Sequence, residues 1–239
     1  MENKLFVSFQ RSYIKRKGIP LGDDIILFDS FDSTKRTKFY SDSEWRTLDY
    51  KDIPFPPKEQ KYKFPPELYL VFKKKQIDFQ FNYLEYGSDV KILSLDLFQE
   101  LLNNGLDKNQ YEYSILKLVN KDGDQLTERK YCALRFGKFD DDKFEFNKQT
   151  SVRSKVNGST NYIYPDLVLI TDSLDKNIFV LREFAYRNSF VFNNKDFVDD
   201  LITKFTDINI YTTRDFPFIY DNQYDEELVP LNNEYLVTV

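Results

Sequence analysis

The chain contains no histidine. Imidazole is the usual general base near neutral pH and a frequent zinc ligand, so nucleophile arrangements that rely on it, and His-containing zinc sites, are closed to this protein. Its one cysteine, Cys132, has no second thiol to pair with among the 239 residues. It stands in the strand-like run Tyr131-Cys-Ala-Leu-Arg-Phe136, where a buried and inert thiol is expected. Glycines number only 7, and they are scattered. Asn157-Gly158-Ser159-Thr160 and Lys121-Asp122-Gly123-Asp124 lack the spacing of a phosphate-cradling loop and read as turns. No stretch approaches 18 consecutive apolar residues, and Met1 to Phe9 has neither a long apolar region nor a small-residue cleavage site. These absences predict a soluble protein made and kept in the cytoplasm, with no membrane partner.

What the chain has in quantity is aromatic rings: 23 Phe and 17 Tyr. Rings at this density favour strands over helices and fill sheets, and Tyr also supplies contact area at protein interfaces. A chain of this length makes one large domain or two small ones and buries roughly 70–75% of its extended surface, so no metal or disulfide is needed for a core. With 39 Asp and Glu against 34 Lys and Arg the net charge is −5, which argues against general binding to nucleic acid or anionic lipid and favours a basic partner. The basic runs Lys73-Lys74-Lys75 and Arg11 to Lys17 are surrounded by acids and read as solvated strand ends.

Hydrophobic periodicity predicts an α+β fold, mainly antiparallel sheets rich in Phe and Tyr with a few packed amphipathic helices. Strands are expected at Leu5 to Phe9, Ile25 to Phe28 and Leu68 to Phe72, and along Ile77, Phe79, Phe81 and Tyr83, the last two runs as antiparallel neighbours. Between them Asp29 to Arg46 reads as an irregular surface segment. The Pro-Pro pairs in Ile53-Pro-Phe-Pro-Pro-Lys58 and Phe64-Pro-Pro-Glu67 impose extended backbone that crosses an edge or end of a sheet. Ser94 is placed to cap a helix with Leu95, Phe98, Leu101 and Leu102 on one face, stopped by Asn103-Asn-Gly105. Further strands are expected at Tyr111 to Val119, Lys130 to Phe136, Leu167 to Ile170 and Ile178 to Phe184. A second helix from about Asp196 to Phe205 follows, facing inward through Phe197, Val198, Leu201, Ile202 and Phe205. Asp96-Leu-Phe-Gln-Glu-Leu-Leu and Asp196-Phe-Val-Asp-Asp-Leu-Ile share one order of cap, acid and apolar residues. That suggests two related lobes, residues 1–108 and 109–239.

Carboxylates are the remaining route to chemistry. Asp140-Asp141-Asp142 with Lys143, and Asp166 with Asp172 and Asp175, have the scattered acid-and-lysine look of metal-dependent nucleases. In a chain with 31% charged residues such groupings arise readily by chance, and a turn belongs between the strands that flank Asp140 to Lys143. No enzyme, metal site or cofactor is therefore expected, with a metal-dependent hydrolase using Asp140 to Asp142, Asp166 and Asp172 as the alternative. A mobile-element structural component, which would form a homo-oligomer, is the third reading.

From Asp166 onward the order is Leu167-Val-Leu-Ile170, Ile178-Phe-Val-Leu-Arg-Glu183, the capping pair Asn193-Asn194, an amphipathic helix and a closing strand Ile208-Asn-Ile-Tyr211. Over about the last eighty residues this pattern resembles immunity proteins of bacterial polymorphic-toxin systems. It departs from them in lacking the glycine that often precedes the last strand, where Phe205-Thr-Asp-Ile208 stands instead. The resemblance implies a cytoplasmic antidote that occludes the active site of a cognate toxin and has no catalytic residue of its own. The acidic groups Asp199, Asp200, Asp221, Asp225, Glu226 and Glu227 are the candidate contacts for a basic toxin.

Overall fold

A computed structural model of the chain describes residues 4–11, 18–47, 54–73, 81–87, 90–153, 162–170, 176–183 and 188–225. In chain order its strands are β1 (Phe6–Ser8), β2 (Ile25–Phe28), β3 (Ser30–Phe31), β4 (Phe39–Tyr40), β5 (Glu67–Phe72), β6 (Tyr83–Tyr86), β7 (Val90–Ser94), β8 (Tyr111–Asn120), β9 (Tyr131–Phe136), β10 (Phe144–Glu145), β11 (Val152–Arg153), β12 (Tyr162–Ile163), β13 (Val168–Leu169), β14 (Ile178–Leu181), β15 (Ser189–Phe192) and β16 (Ile210–Thr212). The helices are α1 (Leu95–Asn103), α2 (Lys195–Lys204) and α3 (Phe216–Asp221). The fold is α+β and strand-dominated, as the ring-rich composition predicts.

Two compact units interleave along the chain: Met1–Ile14, Asn103–Leu106 and Phe139–Val239 make one, Lys15–Leu102 and Asp107–Lys138 the other. The second unit is a six-stranded sheet in the order β2-β5-β8-β9-β7-β6, antiparallel except where β5 runs parallel to β8. Alternate residues Ile25, Leu27, Leu68, Leu70, Leu116, Leu118, Ala133, Ile92 and Leu84 share one core. A side chain links the two edges of the sheet: the Tyr86 hydroxyl on edge strand β6 accepts a hydrogen bond from the Leu27 amide on edge strand β2 at 3.2 Å. That contact satisfies a backbone donor that an open edge would leave for another chain.

Two sequence expectations are corrected in this unit. The runs ending at Phe72 and beginning at Phe81 are not neighbours: β5 lies between β2 and β8, and β6 forms the far edge against β7. Ile77 and Phe79 lie outside the described residues. The stretch from Asp29 to Arg46 is also more than irregular surface. It contains the β3–β4 hairpin, and Trp45 is buried, edge-on to Phe64 at 5.2 Å. Asp29 organises it by accepting from the Trp45 indole (3.0 Å), the Ser43 hydroxyl (2.8 Å) and the Asp42 amide (2.9 Å).

The first unit is built on a four-stranded antiparallel sheet, β14-β15-β1-β16. Val191, Val7 and Tyr211 stand in register across it and, with Phe179 and Leu181, make one face. Against that face pack Phe216, Ile219 and Tyr220 of α3 and Phe144 of β10, with Leu169 of β13 alongside. The other face carries Phe190 and Phe192, and α2 covers it through a Phe192–Phe197 ring contact at 5.9 Å. Of the inward residues expected of α2, Phe197, Val198, Leu201 and Phe205 are buried, while Ile202 is only half-buried.

Candidate partner-binding surface

The expected contact residues fall on two elements. Helix α2 starts where Asn194 Oδ1 accepts the Phe197 amide at 3.1 Å, a side-chain N-cap. With Phe197, Val198 and Leu201 turned to the sheet, Asp199 and Asp200 are left on the solvent side. Asp199 is ion-paired with Lys195 one turn earlier. Helix α3 opens with Pro217 in its first turn and is pinned by Phe216 against Phe9 at 5.3 Å. Asp221 ends it half-exposed, and Asp225 follows in the open, its carbonyl accepting from the Arg11 guanidinium. Glu226 and Glu227 lie outside the described residues. Because α2 and α3 cover opposite faces of one sheet, Asp199 and Asp200 are not brought together with Asp221 and Asp225.

The acids of the alternative reading have structural employment. Asp140 is buried, with its two carboxylate oxygens 2.9 Å from the Lys176 ammonium and one of them 2.8 Å from that of Lys143. It also accepts the Val180 amide at 3.0 Å, while its own amide donates to the Val180 carbonyl at 2.8 Å. A cation approaching these oxygens meets two ammonium groups already in place. Asp141 accepts the amides of Arg182 (3.1 Å) and Glu183 (2.7 Å). Burial pushes the Asp141 carboxyl above its ordinary range, partly opposed by those amides, and burial beside Asp141 raises Glu183 likewise. These contacts fasten the chain around residues 140–143 to edge strand β14. Asp142 and Asp166 are exposed, and Asp172 and Asp175 lie outside the described residues. Among the described residues, no group of three or more His, Cys, Asp or Glu is arranged to hold a metal. Cys132 is fully buried in β9, and burial drives its thiol well above the usual range, so it makes a poor nucleophile.

Charge is divided unevenly between the units. The first carries 12 Lys and Arg against 19 Asp and Glu, a net −7, while the second carries 22 against 20, a net +2. All six expected contact acids belong to the first. That unit also exposes apolar side chains which the sequence reading did not single out: Val152, Tyr162, Val168, Ile170 and Tyr224. The run Leu167-Val-Leu-Ile170 is apolar throughout, so nothing in its pattern marks Leu167 and Leu169 as the inward members and Val168 and Ile170 as the outward ones.

Among the described residues no helix is long and apolar enough to cross a membrane. No curated protein matches the chain. The family described as Immunity protein 43 matches residues 12–228, nearly the whole length and both compact units, and the chain belongs to that immunity-protein family.

Proposed function

We propose that this protein neutralises a cognate toxin by binding the toxin domain and covering its active site, acting without catalysis. The match to the immunity family across residues 12–228 carries the reading. The partner's chemistry follows from charge. A unit at net −7 sets up a negative potential that draws a basic protein in and orients it before contact. The acids proposed as contacts form two sets, Asp199 with Asp200 on α2, and Asp221 and Asp225 with Glu226 and Glu227 at and after the end of α3. The hydrolase alternative is weakened by Asp140, whose carboxylate is committed to Lys143, Lys176 and the Val180 amide. The test is co-expression of the chain with the toxin encoded next to it, reading growth and co-purification. Rescue of growth with a stoichiometric complex is the expected result. A folded, well-expressed chain that neither rescues nor co-purifies would overturn the proposal.

A further inference from the structure

The two-stranded sheet β10–β13 has one face in the core and one in solvent. Phe144 and Leu169, directly paired, turn inward, and period-two alternation turns Glu145, Val168 and Ile170 outward. Val168 is 51% exposed and Ile170 56%, the highest value of any large hydrophobic among the described residues. Glu145 stands directly across from Val168. Lys143 stands across from Ile170, whose amide donates to the Lys143 carbonyl at 2.9 Å. Its ammonium is drawn away to Asp140, which leaves Ile170 open. Exposed Asp142 and Asp166 flank the pair, and none of Asp142, Glu145 and Asp166 is ion-paired among the described residues. Lys148 and Arg153, the exposed cations of this segment, lie further along the chain from Glu145.

From this juxtaposition we infer that the solvent face of β10–β13, with Val168 and Ile170 as apolar centre and Asp142, Glu145 and Asp166 as acidic rim, is where a basic toxin domain docks. The inference rests on the immunity reading and selects between its two acidic sets. Strands β10 and β13 pack on the same face of the four-stranded sheet as α3, so Asp221 and Asp225 belong to this side, whereas Asp199 and Asp200 ride on α2 across the sheet. Asp199 is also already neutralised by Lys195. An apolar centre that loses water on contact, inside a charged rim that a basic surface can pair, is the arrangement that concentrates binding energy at protein interfaces. The net −7 of this unit supplies the complementary field.

The probe is the toxin domain encoded beside this gene, carrying one inactivating active-site substitution, titrated calorimetrically into the full chain. A Val168→Ser/Ile170→Ser double variant, and separately Glu145→Lys, are expected to weaken binding roughly tenfold or more. At about 0.15 M salt, where the screening length is about 8 Å, Asp199→Lys/Asp200→Lys is expected to stay within about twofold. Urea midpoints check that each variant is folded, and Glu145→Lys keeps the question answerable if the apolar double variant is not. Wild-type binding that neither the double variant nor Glu145→Lys weakens overturns this surface and leaves the immunity function standing. Absence of wild-type binding overturns both. Self-association that the double variant abolishes, with toxin binding unchanged, assigns the face to a second copy of the chain and also overturns the inference.

Discussion

Single side chains hold this fold together at points far apart in sequence. Arg135, buried in β9, pairs with Glu112 on β8 and donates to the carbonyls of Trp45 and Tyr62, so one guanidinium joins the sheet to the segment that crosses its end. Asp29 performs the corresponding task for the chain from residue 42 to 45. Desolvation acts to raise its pKa, but the amides of Asp42 and Ser43 and the hydroxyls of Ser43 and Ser30 outweigh it, and the folded-state value lies below the ordinary 3.8. A lowered carboxyl pKa means that the native state binds the proton less readily than the unfolded chain. The stability Asp29 lends is therefore complete above about pH 4 and is lost as pH falls toward the folded value. Asp29→Asn is expected to cost about 1–3 kcal/mol at neutral pH in urea unfolding, because an amide cannot accept all of those donors. The gap from wild type should narrow as pH drops below about 4, and a gap that stays constant down to pH 2 would refute the role given to the charge. Neither Arg135 nor Asp29 stood out in the sequence, since what distinguishes each is a set of partners many positions away.

Elements whose signals are local were legible. Ile25 to Phe28 forms a strand with the expected bounds, Ser94 Oγ accepts the Leu97 amide at the start of α1, and Gly105 stops the helix with φ at +98°. Pairing was not legible, because register and strand order are set by contacts that no window of sequence contains. Strand β9 lies between β7 and β8, antiparallel to both, so the α1 crossover joins two parallel strands. In the other unit β1 lies between β15 and β16, antiparallel to both, and α2 makes the same kind of crossover. In each unit a hairpin, β6–β7 or β14–β15, leads into the helix. The inserted strand follows its crossover in one unit and opens the chain in the other, which a comparison of the two helix segments alone does not reveal. The β8–β9 turn shows how tightly such elements are fitted. Gly123 has φ at +96°, and a Cβ there would stand 2.5 Å from the Phe31 ring of the β3–β4 hairpin. Gly123→Ala should cost about 1–3 kcal/mol in urea unfolding, part from backbone strain and part from the ring. Phe31→Ala in the same chain should recover the steric part only, so the two changes should be non-additive, and strict additivity would rule out the contact as a cause.

On the scale of the whole molecule, charge placement ties the fold to the proposed function. The net −5 read from the sequence is the sum of a unit at −7 and a unit at +2, and the apolar side chains exposed on the β10–β13 face lie in the acidic one. The acidic character of the C-terminal region was legible because it needs only counting. Which acids share a side was not, since that depends on α2 and α3 covering opposite faces of the β14-β15-β1-β16 sheet. Long-range attraction of this kind acts on encounter more than on the finished complex. The screening length falls from about 30 Å at 0.01 M salt to about 8 Å at 0.15 M. On the proposed function, the whole acidic unit would pull on a basic toxin domain at low salt, and only the carboxylates in contact would do so at high salt. The association rate constant, measured by stopped flow with the inactivated toxin domain, should therefore drop about tenfold or more across that range, with dissociation changing far less. Glu145→Lys and Asp221→Lys should lower the slope with salt as well as the rate. Val168→Ser/Ile170→Ser should leave the slope intact and act on dissociation. An association rate indifferent to salt would remove charge steering from the account, and with it the reason for placing the partner on the acidic unit.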